Sequence, residues 1–238
     1  MVSQEALTAA CAEKATRYAK KFKLRRTASG LVRNMLSSMA TRAALGFKLH
    51  TGWAAAVAVT GGPGKFEVLL RRRIELLPTD GSVPRFVYHQ AAEVSLHKAE
   101  ELVQRAEAAA QQTAHAAVQD VLEHLRELGV AVKAAGIPCG SKPLPKQLAD
   151  VLRSHPMIHT AEGSLFQTAV VSACEACGLT VRSLREREVW PKAADVLGLR
   201  EPALRRQVDA LRESVGAPWG ADQKAATAFA LLAMASGR

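Results

Sequence analysis

The chain has 238 residues, of which 48% are hydrophobic and 23% are charged, so it has enough apolar material for a core and is not a disordered protein. Only 5% of the residues are aromatic, so Ala, Val and Leu must fill that core, and a surface that stacks bases has few rings to draw on. The net charge of +10 favours a polyanionic partner, whereas the absence of any apolar run of about 18 residues excludes a membrane span.

The positive charge is concentrated at the start of the chain. Residues 1–45 contain nine Lys or Arg and two Glu, whereas the rest of the chain has a net charge of only +3. We therefore predict a basic N-terminal arm over residues 1–45 and a folded domain over residues 46–238. A transit peptide or a non-native start is the alternative interpretation of this acid-poor stretch. If the arm meets nucleic acid, the expected contacts are Lys20, Lys21, Lys23, Arg25 and Arg26.

Three strands are predicted at the start of the domain. The run from 46 to 60 is rich in β-forming residues and ends at Gly61-Gly62-Pro63-Gly64, which predicts one strand that leads into a hairpin turn. A second strand is predicted over residues 65–77 and a short third strand over residues 85–89.

A long helix and a buried strand follow. No Gly or Pro occurs between Pro84 and Gly129, and apolar residues recur there every three or four positions, as is typical of an amphipathic helix. The apolar stretch from 130 to 137 then predicts a buried strand parallel to its neighbours.

The second half of the chain continues the alternation of helix and strand. We predict a short helix over residues 146–153, a longer helix over 158–177, a strand over 179–184, and further helices that begin near Arg185, Glu201 and Ala221. The order βββ-α-β-α-β-α indicates an α/β fold.

Cysteine usage indicates a reducing compartment, and we expect a cytoplasmic protein. Four cysteines occur, at positions 11, 139, 174 and 177, and a chain with this much core needs no disulfides. Cys174 and Cys177 form a C-x-x-C pair without the second pair that a zinc ribbon requires, so we interpret them as small helix residues.

Three stretches suggest a family. They are residues 46–53 (GFKLHTGW), residues 161–163 (AEG) with the helix and strand that follow, and residues 219–226 (WGADQKAA). In this order they resemble the ribonuclease H-like superfamily, and within it the Holliday junction resolvases and pre-ribosomal-RNA-processing nucleases. Those proteins have Gly-x-Asp before a Thr-Gly-aromatic step, then a glutamate, and Asp-x-x-Asp-Ala in the last helix. The resemblance covers roughly residues 46–236. It implies a ribonuclease H-like mixed five-stranded sheet, with three antiparallel strands followed by parallel strands and flanked by helices.

The resemblance implies a cluster of carboxylates that binds two Mg²⁺ ions for phosphodiester cleavage. The chain departs from this pattern, because Lys48 stands where the first-strand aspartate is expected and Ala225 where the second aspartate of the last helix is expected. Glu162 and Asp222 remain at matching positions, and we assign both as candidate ligands of a divalent metal, Mg²⁺ or Mn²⁺. Two carboxylates are too few for a two-metal site, although imidazoles could complete the shell of one softer metal.

Two histidines are further candidates for catalysis. His159 precedes Glu162 by three residues, so the two share a helix face, and His50 lies on the first predicted strand. A structural interpretation remains open for each residue. His50 can be a hydrogen-bonded strand residue, Glu162 can stabilise the start of a helix capped by Thr160, and Asp222 can be a helix N-cap.

Lys48 and Lys224 join the arm residues as candidate contacts to nucleic acid, and a solvated strand residue is the alternative for Lys48. Two functions remain open. The first is a divergent metal-dependent nuclease-like protein that acts on or binds structured nucleic acid, with Glu162, Asp222, His50 and His159 in its active site. The second is a non-catalytic ribonuclease H-like module that binds nucleic acid or protein, and the missing first-strand aspartate favours it.

Overall fold

A mixed five-stranded sheet forms the centre of the protein. The computed structural model describes residues 41–140 and 143–235. The strands are β1 Thr41–His50, β2 Trp53–Thr60, β3 Glu67–Glu75, β4 Val130–Pro138 and β5 Thr180–Leu184. Their order in the sheet is β3-β2-β1-β4-β5; β1, β2 and β3 pair antiparallel, and β4 runs parallel to both β1 and β5. This topology is that of the ribonuclease H-like fold and confirms the prediction.

Helices cover both faces of the sheet. In the described residues they are α1 Val87–Ala91, α2 Leu96–Glu127, α3 Leu148–Leu152, α4 His155–Ala176, α5 Val189–Val196, α6 Glu201–Ala210, α7 Arg212–Val215 and α8 Ala221–Ala235. A 3₁₀ turn, Glu186–Glu188, links β5 to α5. None of the helices in these two ranges is long and apolar enough to cross a lipid bilayer.

The alternation of side chains along β1 separates two cores. Leu45 and Phe47 point to one face and pack with the buried residues of α2 and α4. Ala44 and Gly46 point to the other face, where α8 lies. α8 also packs with α5 and α6 in a second core on that side.

Two glycines let α8 approach the sheet closely. Gly46 of β1 and Gly136 of β4 are neighbours in the register of the two strands. A Cβ atom on Gly46 would lie 1.9 Å from the carbonyl oxygen of Ala226, and one on Gly136 would lie 2.0 Å from that of Phe229. This close contact brings the first turn of α8 beside the end of β1, where the candidate site is found.

Two predicted elements are wrong. The run from 46 to 60 is not one strand but a hairpin of β1 and β2, because Gly52 adopts a φ of 80° and reverses the chain at Thr51. Residues 85–89, predicted as a strand, contribute instead to α1, whose first turn is capped by the carboxylate of Glu162. Glu162 is distant in the sequence from α1, so no local sequence pattern predicts this helix.

Other boundaries shift by a few residues. β1 begins at Thr41, five residues before the predicted start of the first strand. α4 begins at His155 rather than at residue 158. The arm residues Lys20, Lys21, Lys23, Arg25 and Arg26 lie outside the described residues.

Candidate functional site

Two adjoining cavities open at the carboxyl edge of the sheet. The larger, of about 380 Å³, is lined by the end of β4 (Pro138, Cys139), by α4 and by Glu186. The smaller, of about 200 Å³, lies between the end of β1 and α4 and includes His50 and Glu162 in its lining. Parallel strands end together at this edge, which is where open α/β sheets usually bind ligands.

Glu162 is a buried carboxylate with one occupied oxygen and one free oxygen. It lies in the third turn of α4 and is only 4% exposed. Its Oε1 accepts the backbone N–H groups of Tyr88 at 2.8 Å and His89 at 3.4 Å, and Nδ1 of His89 lies 3.3 Å from the same oxygen. Its Oε2 is equally buried and has no hydrogen-bond partner in the described residues. An unpaired buried acceptor costs about 1–3 kcal/mol, so Oε2 indicates a site for a cation, a proton donor or water.

The expectation that Glu162 belongs to the first turn of its own helix is therefore wrong. It stabilises the start of α1 instead, a neighbouring helix. Thr160 does not cap α4 either, since its Oγ1 donates a hydrogen bond to the carbonyl of Pro156 at 2.8 Å. The hydroxyl is drawn back to the preceding turn, as is common for threonine inside a helix.

His50 and Asp222 form a pair at the end of β1. Nε2 of His50 lies 3.1 Å from Oδ1 of Asp222, although the ring nitrogen is not aimed at the oxygen in hydrogen-bonding geometry. The His50 ring stacks on Trp53 with 4.2 Å between centroids and an angle of 7°. Asp222 is not the N-cap of α8, because that helix begins at Ala221. His50 also lines the cavity of Glu162, so both candidate carboxylates lie at the same edge of the sheet, although their helices cover opposite faces.

Lys48 carries a positive charge into this region. It lies on the same face of β1 as Gly46 and His50, and its Nζ is 2.5 Å from Oε2 of Glu186. Both side chains are partly exposed, at 20% and 49%, so the pair itself contributes at most about 1 kcal/mol to stability. The importance of the pair is electrostatic, because it places an ammonium group beside a carboxylate at the end of the central strand. Sequence reasoning missed Glu186, although an acidic residue just after a predicted parallel strand is a usable signal.

Three histidines gather beside Glu162. His155 and His159 are one helical turn apart on α4, with 3.0 Å between their Nε2 atoms, and His89 comes from α1. One nitrogen from each ring can be chosen so that all three lie within 4.8 Å of one another. The prediction included His159 but missed its two neighbours. The spacing His155-x₃-His159-x₂-Glu162 places these three residues near one helix face and could have indicated the cluster. His89 could not be found in this way, because its segment was predicted to be a strand.

Lys224 is held away from the cavities. Its Nζ pairs with Oδ1 of Asp209 at 2.7 Å, and it does not line either of the two cavities described above. Its assignment as a contact to nucleic acid stays a prediction.

The C-x-x-C pair lies at the end of α4. Cys174 is buried in the core and Cys177 is half-buried at the helix end; neither forms a disulfide. Burial raises the pKa of the Cys174 thiol to about 12, and it also raises the pKa of Cys177. A raised pKa disfavours the thiolate, which is the form that binds metals, so both thiols are poor metal ligands at neutral pH. Cys139 is half-buried and lines the larger cavity.

The described residues do not fit the pair of Mg²⁺ ions that the resemblance implies. Mg²⁺ requires near-octahedral coordination by oxygens, with carboxylates as its protein ligands. The ammonium group of Lys48 stands where the resemblance implies the first carboxylate, Asp222 lies beside His50, and only one oxygen of Glu162, Oε2, has no partner in the described residues. Mn²⁺, which also suits carboxylate and carbonyl oxygens, meets the same set of residues.

Comparison with solved structures finds similar chains. The chain is similar to Thermus thermophilus RuvC, with 18% sequence identity and a TM-score of 0.45 over 80% of this chain and 92% of that one. It is also similar to T. thermophilus RuvC in complex with Holliday junction substrate, with 17% identity and a TM-score of 0.45 over 80% of this chain and 91% of that one. No protein-family model and no curated protein sequence matches the chain. The fold itself is assigned from the order and direction of the five strands.

Proposed function

We propose that this protein binds nucleic acid and that its ribonuclease H-like domain does not perform two-metal phosphodiester cleavage. The observation that supports this most directly is the ion pair of Lys48 with Glu186 at the end of the central strand. The ammonium group of Lys48 neutralises a carboxylate that would otherwise attract divalent cations. Binding without cleavage needs neither a metal pair nor a full set of acidic ligands.

The distribution of charge supports nucleic acid as the partner. The chain has a net charge of +10 and a pI of about 9.8. Within the domain, cations such as Lys48, Arg72, Lys192 and Lys224 each pair with an acidic side chain, which offsets their charge. The excess positive charge of the sequence lies in residues 1–45, so we assign the phosphate contacts to that segment.

Binding can be measured by fluorescence anisotropy on labelled four-way junction, duplex and single-stranded DNA between about 50 and 200 mM salt. Replacing the five arm residues Lys20, Lys21, Lys23, Arg25 and Arg26 by Gln should weaken binding and reduce the salt slope by up to about 4.5, or 0.9 per lost phosphate contact. The matched control replaces Lys98 and Arg105, which are exposed on α2. An unchanged slope in the arm variant would remove the arm from the proposal.

Cleavage of the same substrates tests the second half of the proposal. We expect the wild-type protein to give no product in millimolar Mg²⁺ or Mn²⁺. Mg²⁺-dependent cleavage that disappears in Asp222→Asn would contradict the proposal, because it would require the metal site that Lys48 disfavours.

A second candidate is an enzyme that acts on structured nucleic acid with a different set of groups. It is favoured by one observation: Glu162, His159 and His50 line the same cavity of about 200 Å³, and Oε2 of Glu162 has no partner among the described residues. A carboxylate and imidazoles in one cavity are groups that transfer protons. The test is cleavage of the substrate panel in Zn²⁺ with Glu162→Gln as the control. Activity that Glu162→Gln abolishes would favour this candidate over simple binding.

A further inference from the structure

We propose that His89, His155 and His159 bind one transition-metal ion of the zinc class, with Glu162 as the residue that positions His89. This site lies beside, and is chemically different from, the carboxylate site that the resemblance implies. It does not depend on whether the protein binds nucleic acid.

The spacing of the imidazoles fits such an ion. Zn²⁺ holds imidazole nitrogens at about 2.0–2.1 Å in a tetrahedron, which places any two of them about 3.3 Å apart. The Nε2 atoms of His155 and His159 are 3.0 Å apart, and nitrogens of all three rings lie within 4.8 Å of one another. The rings of the three residues meet edge to face, at interplanar angles of 66° to 85°. His155 and His159 are exposed, so small side-chain rotations can close the remaining distance.

The helices hold the three rings in place. His155 and His159 are four residues apart on α4 and so lie on one face of that helix. His89 is fixed by α1, whose first turn is bonded to Glu162 of α4. The two helices are therefore linked by the same carboxylate that borders the histidine cluster.

Glu162 is an independent indication of a cation at this place. Its side chain is 5% exposed, and its Oε2 is unpartnered in the described part of the chain. It lines the cavity that His89 and His159 also line. A bound cation would compensate this buried carboxylate, which the neighbouring N–H groups satisfy on one oxygen only.

Glu162 also has the geometry of an orienting residue. Its Oε1 lies 3.3 Å from Nδ1 of His89, so Nδ1–H can donate to the carboxylate and leave the other ring nitrogen for the metal. Metal-binding histidines commonly have this arrangement, which fixes the tautomer and the direction of the ring.

The ligand set selects the type of metal. Three neutral imidazoles suit Zn²⁺, Co²⁺ and Ni²⁺ but not Mg²⁺ or Ca²⁺, which prefer oxygen. Three protein ligands also leave a fourth position, which water or a substrate atom can occupy.

The direct test is titration of the full-length, metal-free protein with Zn²⁺ by calorimetry and with Co²⁺ by visible absorption. We expect one equivalent of each ion to bind, with the Co²⁺ spectrum of a tetrahedral site. The double variant His155→Ala/His159→Ala should lose this binding by at least about 100-fold, and Glu162→Gln should weaken it by about 10- to 100-fold. Replacing His97 and His124, two exposed histidines on α2, is the matched control and should leave the affinity unchanged.

Thermal melting in EDTA is the control for correct folding of the variants. His155 and His159 are exposed, so their double variant should melt at the same temperature as the wild type without metal, and only the wild type should gain stability from Zn²⁺. Wild-type protein that binds no Zn²⁺ or Co²⁺ at micromolar concentration would overturn the proposal, and so would binding that persists in the double variant. Nucleic-acid binding measured in EDTA is a separate readout, so the two proposals can fail independently.

Discussion

The close approach of α8 to the sheet at Gly46 makes a quantitative prediction. A Cβ atom at residue 46 would lie 1.9 Å from the carbonyl oxygen of Ala226 and 2.3 Å from the backbone nitrogen of Ala230. Carbon and oxygen atoms in proteins essentially never approach below about 3 Å, so Gly46→Ala must push the helix away by roughly 1 Å or more. Both obstructing atoms belong to the helix backbone, so no side-chain rotation can relieve the clash.

The cost of this displacement can be estimated from the packing of α8. Inserting a methyl group into a filled core usually costs about 1–3 kcal/mol. The upper value applies here, because nine residues of α8 are buried and move together with the obstructing backbone. We therefore expect Gly46→Ala to lower the free energy of unfolding by about 3 kcal/mol. With an m-value of about 2 kcal/mol/M in urea, the unfolding midpoint should fall by about 1.5 M.

Urea unfolding followed by circular dichroism is the assay, and Gly163→Ala is its control. Gly163 lies inside α4, and a Cβ atom there meets nothing within 4 Å, so alanine should stabilise the helix by about 0.5–1 kcal/mol. The two substitutions are chemically identical and are expected to shift the midpoint in opposite directions. A Gly46→Ala midpoint equal to or above that of the wild type would refute the reasoning about α8.

Three further outcomes follow from single side chains. Cys174 has a pKa of about 12, so about one molecule in 10,000 carries the thiolate at pH 8. A thiol reagent should therefore modify Cys139 in the native protein and should leave Cys174 unmodified until urea unfolds the chain. Burial raises the pKa of the Tyr88 phenol, with Glu107 and Glu162 adding to the shift, so the unfolded state loses this proton first and stability should fall as the pH rises above about 10. The variant Tyr88→Phe should show a smaller alkaline fall in its unfolding midpoint, and equal falls would contradict this assignment. Trp219→Phe should lose about 1–3 kcal/mol of stability in urea unfolding, because the indole N–H donates a buried hydrogen bond to the carbonyl of Val208 at 2.9 Å, and a loss below about 0.5 kcal/mol would argue against that bond.

Sequence patterns were sufficient where the structure depends on neighbours along the chain. The helix from Leu96 to Glu127 follows from its uninterrupted apolar spacing, and β4 follows from a run that is apolar except for Lys133. The prediction failed for residues 85–89, because the helix there depends on a carboxylate contributed by α4. Short apolar segments are compatible with either helix or strand, and only a partner element decides between them.

The residues of the candidate site could likewise be predicted only in part from the sequence. The resemblance to resolvases implied which residue types are missing or retained, with Lys48 where an aspartate is expected and Asp222 near the start of the last helix. Only the tertiary structure decided that Lys48 meets Glu186, that Asp222 meets His50, and that His89 and His155 join His159. The physical reason is that local propensity and periodicity act over a few residues, whereas these contacts join residues brought together by strand order and by helices packed on the sheet.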